Sequence, residues 1–196
     1  MALPGRGRLR VASESDRSPL VPSGVLGMLI FIGMEVMFFA GLISAFAIIR
    51  GGAVVWPPPG QPRLPVEETA FNTAALLLSG AMLFAARRAF RRDRQRAKAP
   101  LLLSILLGAF FILFQGVEWI SLIGEGLTLT SSSLGSFFYL IVGLHALHAV
   151  IALGLLWFTW LRLQRGWLVS SQLAVAEVFW YFVVGVWPVL YLTVYL

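Results

Sequence analysis

The sequence contains no cysteine, and this absence excludes several kinds of site. A chain without thiols has no disulfide, no thiolate metal site and no cysteine nucleophile. Charged residues are scarce too, at 12% of 196 residues, whereas hydrophobic residues make up 59%. An ordinary soluble domain has about 25% charged residues. The composition therefore indicates a membrane protein that carries out no thiol chemistry.

Histidine is almost absent, since the chain has only His145 and His148, three residues apart in one apolar segment. Residues at this spacing share one face of a helix. A zinc or haem site is disfavoured because no other histidine or cysteine exists, although Glu35 or Glu118 could add a ligand. The alternative is a hydrogen bond from each histidine to a carboxylate or carbonyl of a neighbouring helix. We therefore predict that this chain binds no metal.

Five apolar segments approach or exceed the length of about 20 residues that a helix needs to cross a bilayer. The first is too long for the apolar core of a signal peptide, so we interpret it as a membrane span. No internal repeat is visible, which disfavours an inverted-repeat transporter. We predict an all-α membrane protein with a cytoplasmic tail at 1–23 and a single five-helix domain at 24–196. The predicted spans are 24–49, 66–87, 101–123, 134–161 and 173–196.

Lysine and arginine are distributed unequally between the two sides of this arrangement. The tail has four, the segment 87–98 has seven and the last loop has two, whereas the opposite side has only Arg50 and Arg63. Basic residues concentrate on the cytoplasmic side of membrane proteins, so we expect the N-terminus inside and the C-terminus outside. The same asymmetry explains the net charge of +6 without a nucleic-acid partner.

Ionisable side chains occur inside the apolar segments, where they are costly and must face protein or water. At 1.5 Å per residue, Glu35 lies about 16 Å from the cytoplasmic end of its span. His145 and His148 lie about 16 and 21 Å from the outer end of theirs. We therefore predict that Glu35 or Glu118 is within hydrogen-bond reach of a histidine. A complete proton wire is disfavoured, because the first and last spans have few polar residues.

Several motifs occur in a fixed order along the chain: GMEVMFF with Glu35, WPPPG with Trp56, VEETAFNTAALLLSG with Glu67 and Asn72, FQGVEW with Gln115 and Glu118, and GLHALHAVIALG with His145 and His148. In this order and spacing, the chain resembles subunit III of haem-copper terminal oxidases. It is similar to the short, five-helix form of that family. The family has a histidine and an aspartate on its last helix where this chain has Tyr181 and Val184. Any role of that pair is therefore absent or reassigned here.

The resemblance implies a subunit without redox centres, with haem and copper in partner subunits. Subunit I would be the main partner and subunit II a further one. The chain would hold phospholipid in a cleft and would sustain proton uptake and turnover. The cleft would separate a two-helix bundle from a three-helix bundle. Glu67 would be the glutamate known for carbodiimide reactivity. Residues expected at the cleft are Glu67, Trp56, Asn72, Arg87 and Arg88, and residues expected in one structural polar cluster are Glu35, Gln115, Glu118, His145 and His148.

The resemblance leaves other assignments open. The chain could serve a quinol oxidase instead of a cytochrome c oxidase, or act as an accessory membrane protein of nitric oxide reductase. An independent small transporter or haem-binding membrane protein is a third alternative. A larger respiratory supercomplex is a further candidate partner, and the bacterial cytoplasmic membrane is the expected location.

Overall fold

The computed structural model describes residues 22–196. Within that range the chain forms five long helices, each long and apolar enough to cross a membrane, with no strand. They are α1 (Ser23–Gly52), α2 (Val66–Arg92), α3 (Lys98–Gly124), α4 (Ser133–Gln164) and α5 (Ser170–Leu190). A 3₁₀ turn, Gln95–Ala97, precedes α3, and a π-helical turn, Tyr191–Tyr195, follows α5. The predicted all-α fold with five membrane helices is confirmed, whereas residues 1–21 of the predicted tail lie outside the described residues.

Helices α1 to α4 extend beyond the apolar segments that predicted them, and α2 extends furthest. It continues to Arg92, whereas the predicted span ends at residue 87. Hydropathy detects only the apolar part of a helix, and arginine is a good helix former. The basic segment expected to be a long connection is therefore mostly helical, and only residues 93–97 join α2 to α3.

Helix α5 lies at the centre of the packing and contacts α1, α2 and α4. The most extensive contact in the described chain joins α2 to α3, which form an antiparallel hairpin. Helix α1 is peripheral, because only Phe39 and Phe46 on it are buried. It packs on α5 and α4 and has almost no contact with α2.

This packing corrects the predicted division into a two-helix bundle and a three-helix bundle. The prediction assumed that a long connection separates α2 from α3, but the connection is one short turn and the two helices pack together. An open groove lies instead between α1 and α2, and α5 forms its floor. The exposed residues along this floor are Tyr181, Gly185 and Val189 of α5 and Leu192 of the turn that follows α5.

Candidate functional site

Glu35 on α1 and His148 on α4 form a pair near the middle of the membrane. The Nε2 atom of His148 lies 3.2 Å from the Oε2 atom of Glu35, within the predicted reach. The Oε2 atom of Glu35 makes no hydrogen bond, so the contact with His148 is a close approach of two ionisable groups. The Nδ1 atom of His148 lies 2.7 Å from the carbonyl oxygen of Leu144 and donates to it.

Aromatic side chains surround His148 on the sides that do not face Glu35. The ring centroids of four phenylalanines lie 5.6 to 6.5 Å from the centroid of the imidazole. These residues are Phe31, Phe39, Phe179 and Phe182. They come from α1 and α5, so the imidazole of α4 is enclosed by two of the helices that α4 packs against. The enclosure keeps the polar pair away from lipid tails, which cannot hydrogen-bond to it.

A second polar group is centred on Glu118, near the C-terminal end of α3. Its carboxylate accepts from Nε2 of Gln115 at 2.7 Å and from the hydroxyl of Thr69 at 3.1 and 3.2 Å. Gln115 also donates to the hydroxyl of Tyr195 at 3.1 Å. The carboxylate is buried, with 6% of the residue exposed. The group therefore joins α2, α3 and the turn that follows α5.

His145 belongs to neither of these groups, although it was expected to share one cluster with them. It is 1% exposed, its ring lies 5.0 Å from that of Trp187, and its Nε2 atom has no hydrogen-bond partner. Residues three apart are rotated by about 60° around a helix, which is enough to direct them to different neighbours. His148 therefore faces α1, whereas His145 faces α3 and α5. The predicted single cluster is corrected to two groups and one separate histidine.

The residues predicted to line a lipid cleft are also separated. Trp56, in the loop after α1, packs on Phe46 at 5.6 Å between ring centroids. Asn72 is buried between α2 and α3, where it donates to the carbonyl oxygen of Phe111 at 3.2 Å. Arg87 lies 15 residues further along α2 than Asn72, or about 22 Å away along the helix. The five predicted residues do not form one site, because α2 spans the whole membrane between them.

Glu67, the carboxylate predicted to react with carbodiimide, and Glu35 have different surroundings. Glu67 is exposed in the first turn of α2, where the end of the helix meets water. The Glu35 side chain is 18% exposed and lies at membrane depth beside His148. A membrane-soluble reagent partitions into the apolar region, so the structure favours Glu35 over Glu67 as its target.

Arginines cluster at the end of α2 that meets α3. Arg87 forms an ion pair with Glu177 on α5, with 3.5 Å between its Nε atom and Oε2, and donates to the carbonyl oxygen of Ser170 at 3.2 Å. This pair gives Glu177 a structural role that the sequence did not predict. A cavity of about 330 Å³ lies beside it. The residues that line it are Phe84, Arg87, Arg88, Arg91 and Arg92.

A row of buried hydrogen bonds that was not predicted from the sequence holds α2 against α3 and α5. The hydroxyls of Ser79 and Ser104 each donate to the other residue's carbonyl oxygen, at 2.8 and 2.9 Å. The indole nitrogen of Trp180 donates to Ser79, and that of Trp187 donates to Thr73. The available signal was the position of both tryptophans in the middle of a span. A buried indole needs an acceptor there, whereas interfacial tryptophans do not.

The described part of the chain, residues 22–196, contains no group of three histidines or carboxylates that could hold a metal ion. The surroundings of the two histidines agree with this. Both ring nitrogens of His148 face protein groups, and the ring of His145 lies among those of Phe39, Phe111 and Trp187.

Comparison with known proteins gives one consistent result. A family model described as cytochrome c oxidase subunit III matches residues 12–196. Cytochrome c oxidase subunit 3 of Homo sapiens is 32% identical over 195 residues, which cover 93% of this chain and 73% of that protein. A probable cytochrome c oxidase subunit 3 of Nocardia farcinica is 33% identical over 177 residues, which cover 87% of this chain and 86% of the relative. The similarity therefore includes all five helices.

Proposed function

The chain belongs to the cytochrome c oxidase subunit III family, whose members are subunits of an oxidoreductase complex, and from this premise we propose that it is the non-catalytic third subunit of a haem-copper oxygen reductase. The family match over residues 12–196 is the observation that carries the proposal. The histidines support it, because both are engaged in packing or pairing within the protein. Haem and copper would be held by partner subunits, which would supply the oxygen chemistry.

We propose that the buried polar groups act as ties between helices, at three depths in the membrane. Glu35 and His148 join α1 to α4, and the Glu118 group joins α2 to α3. Arg87 and Glu177 join α2 to α5 near the opposite end from Glu118. In lipid, helices gain little from apolar contact alone, so interhelical polar contacts and close packing hold them together. The subunit would thus be a rigid scaffold for subunit I, its main partner, and for subunit II.

Phospholipid is the second component of the proposal. The groove between α1 and α2 is open along α5, and the arginine cavity lies at the end of α2, where Arg87 borders both features. Arginines attract anionic head groups electrostatically. An acyl chain of the phospholipid would lie in the groove, and the phosphate of its head group would lie beside Arg88 and Arg91. The distribution of basic residues supports a cytoplasmic location for this end. The relative in Nocardia farcinica supports the bacterial cytoplasmic membrane as the location.

Purification in mild detergent tests the assignment to an oxidase. We expect the chain to co-purify with subunits that carry haem and copper, and to retain phospholipid. Co-purification with nitric oxide reductase would instead support the accessory role. A quinol oxidase would be recognised by turnover with quinol but not with cytochrome c.

A test of the lipid role requires variants that leave the polar contacts between the helices intact. Arg88→Ala with Arg91→Ala removes two arginines of the cavity and keeps Arg87 with Glu177. A matched control, Arg162→Ala with Arg165→Ala, removes the same charge from the end of α4, on the same predicted side. We expect the first variant to lose bound phospholipid and working lifetime without losing initial rate. A loss of initial turnover at full haem content with the lipid retained would contradict the lipid role.

A further inference from the structure

A second cavity, of about 330 Å³, lies between α3 and α4, away from Glu35 and from the arginines. Small residues on both helices, Gly116, Gly143 and Ala146, leave room for it. Its walls are otherwise formed mostly by aliphatic and aromatic side chains. An apolar cavity of roughly 150 Å³ holds one benzene ring, so this one can hold a ring and a short chain.

Three buried polar atoms without a partner belong to residues that line this cavity. They are Oε1 of Gln115, the indole nitrogen of Trp119 and Nε2 of His145. Gln115 is 3% exposed and His145 is 1% exposed, so water at the surface cannot satisfy them. A buried polar atom left without a hydrogen bond is costly, and each such atom requires an explanation. Three of them around one cavity indicate a ligand that supplies the missing partners.

The orientation of the Gln115 amide follows from its neighbours. Its nitrogen donates to the Glu118 carboxylate and to the hydroxyl of Tyr195. A carboxylate can be bonded only by a donor, so the nitrogen must face Glu118, and the amide oxygen remains free. Trp119 lies one turn further along the same helix face and offers a donor. The cavity therefore presents at least one acceptor and one donor.

The depth and charge of the cavity decide which class of ligand it fits. Gln115 lies nine residues from the end of α3, or about 13 Å below that end. No charged side chain occurs among the lining residues, all of which are in the described part of the chain. A phospholipid head group needs both the interface and a counter-charge, so it does not fit. An uncharged molecule dissolved in the membrane does.

We propose that this cavity binds an uncharged, membrane-soluble molecule whose ring carries a hydroxyl group, as in a phenol or a quinol. The hydroxyl donates to the free oxygen of Gln115 and accepts from the indole of Trp119, while the ring packs against Phe111 and Trp187. This inference goes beyond the proposed function, because neither assembly of an oxidase nor its bound phospholipid requires such a site.

Photolabelling of the native membrane complex tests the proposal. The probe is 4-octylphenol with a diazirine on its chain, and labelled residues are identified by mass spectrometry. Competition is measured with 4-octylphenol and with octylbenzene, which differ only in the hydroxyl group. We expect labelling of cavity residues on α3 and α4, and roughly three- to tenfold better competition by the phenol, as one or two neutral hydrogen bonds would give.

Three variants distinguish a loss of ligand recognition from a loss of folding. Gly116→Leu places a side chain in the cavity at a position where a Cβ atom meets nothing within 4 Å, and it should abolish labelling. Trp119→Phe keeps the ring but removes the donor, and it should reduce the preference for the phenol. Gly154→Leu also adds a side chain in open space, outside the cavity, and labelling should be unchanged. Equal competition by octylbenzene, or undiminished labelling of Gly116→Leu, would show a crevice filled by lipid tails and would overturn the proposal.

Discussion

Gly108 on α3 offers a sharp test of the helix packing, because it faces the indole of Trp180 on α5. A Cβ atom at position 108 would lie 2.6 Å from two ring carbons of Trp180 and 3.0 Å from Leu153. Ordinary carbon contacts are 3.5 to 4.0 Å. Trp180 is fully buried and its indole nitrogen donates to Ser79, so the ring cannot move aside without breaking that bond.

We expect Gly108→Ala to lower the free energy of unfolding by roughly 1–3 kcal/mol, which is the usual cost of one extra carbon in a packed core. Gly116→Ala is the matched control, since its Cβ atom meets nothing within 4 Å on the same helix. There the higher helix propensity of alanine should leave stability unchanged or raise it by up to about 1 kcal/mol. The assay is loss of helicity when the purified full-length chain is titrated from mild detergent into sodium dodecyl sulfate.

A double-mutant cycle makes the test specific to Trp180. In a Trp180→Leu background the ring is absent, so Gly108→Ala should cost much less than in the wild type. Equal costs of Gly108→Ala and Gly116→Ala in the wild-type background would refute the close packing of α3 against α5. Equal costs of Gly108→Ala in the two backgrounds would place its effect somewhere other than Trp180.

Three further predictions concern the membrane-depth pair and the topology. In a cycle of Glu35→Leu and His148→Leu, unfolding measurements should give a coupling free energy of roughly 1–2 kcal/mol, and a value near zero would show that the 3.2 Å contact stabilises nothing. A membrane-soluble carbodiimide should label Glu35 in preference to Glu67, as peptide mass spectrometry would detect; selective labelling of Glu67 would restore the assignment drawn from the family motif. A cysteine introduced at Ser132 should react with an impermeant reagent added to intact cells while one at Gln95 should not, and the reverse pattern would invert the proposed orientation.

The features that the sequence predicted well depend on one segment at a time. An apolar run of sufficient length gives a membrane helix whatever its neighbours are. The rise of 1.5 Å per residue placed Glu35 and His148 at similar depths, and the structure brings them within 3.2 Å. Both arguments need only residue spacing within a span.

The choice of helix neighbours could not be predicted in the same way. The depth of a residue along its span does not give the direction in which its side chain points around the helix axis. Depth therefore could not distinguish His148, which faces Glu35, from His145, which faces Trp187. The grouping of α1 with α2 failed because the basic segment after residue 87 is helical and brings α3 directly against α2. Which helices pack together depends on side-chain shape, as between Gly108 and Trp180, and hydropathy does not contain this information.

We propose that this chain sustains an oxygen reductase without taking part in its redox chemistry. The most direct test is the time course of oxygen uptake by the purified complex, with and without this subunit, at equal haem content. We expect equal initial rates and a faster decline of activity in the complex that lacks the subunit. An initial rate that falls in proportion to the missing subunit, or a decline identical in both preparations, would contradict the claim.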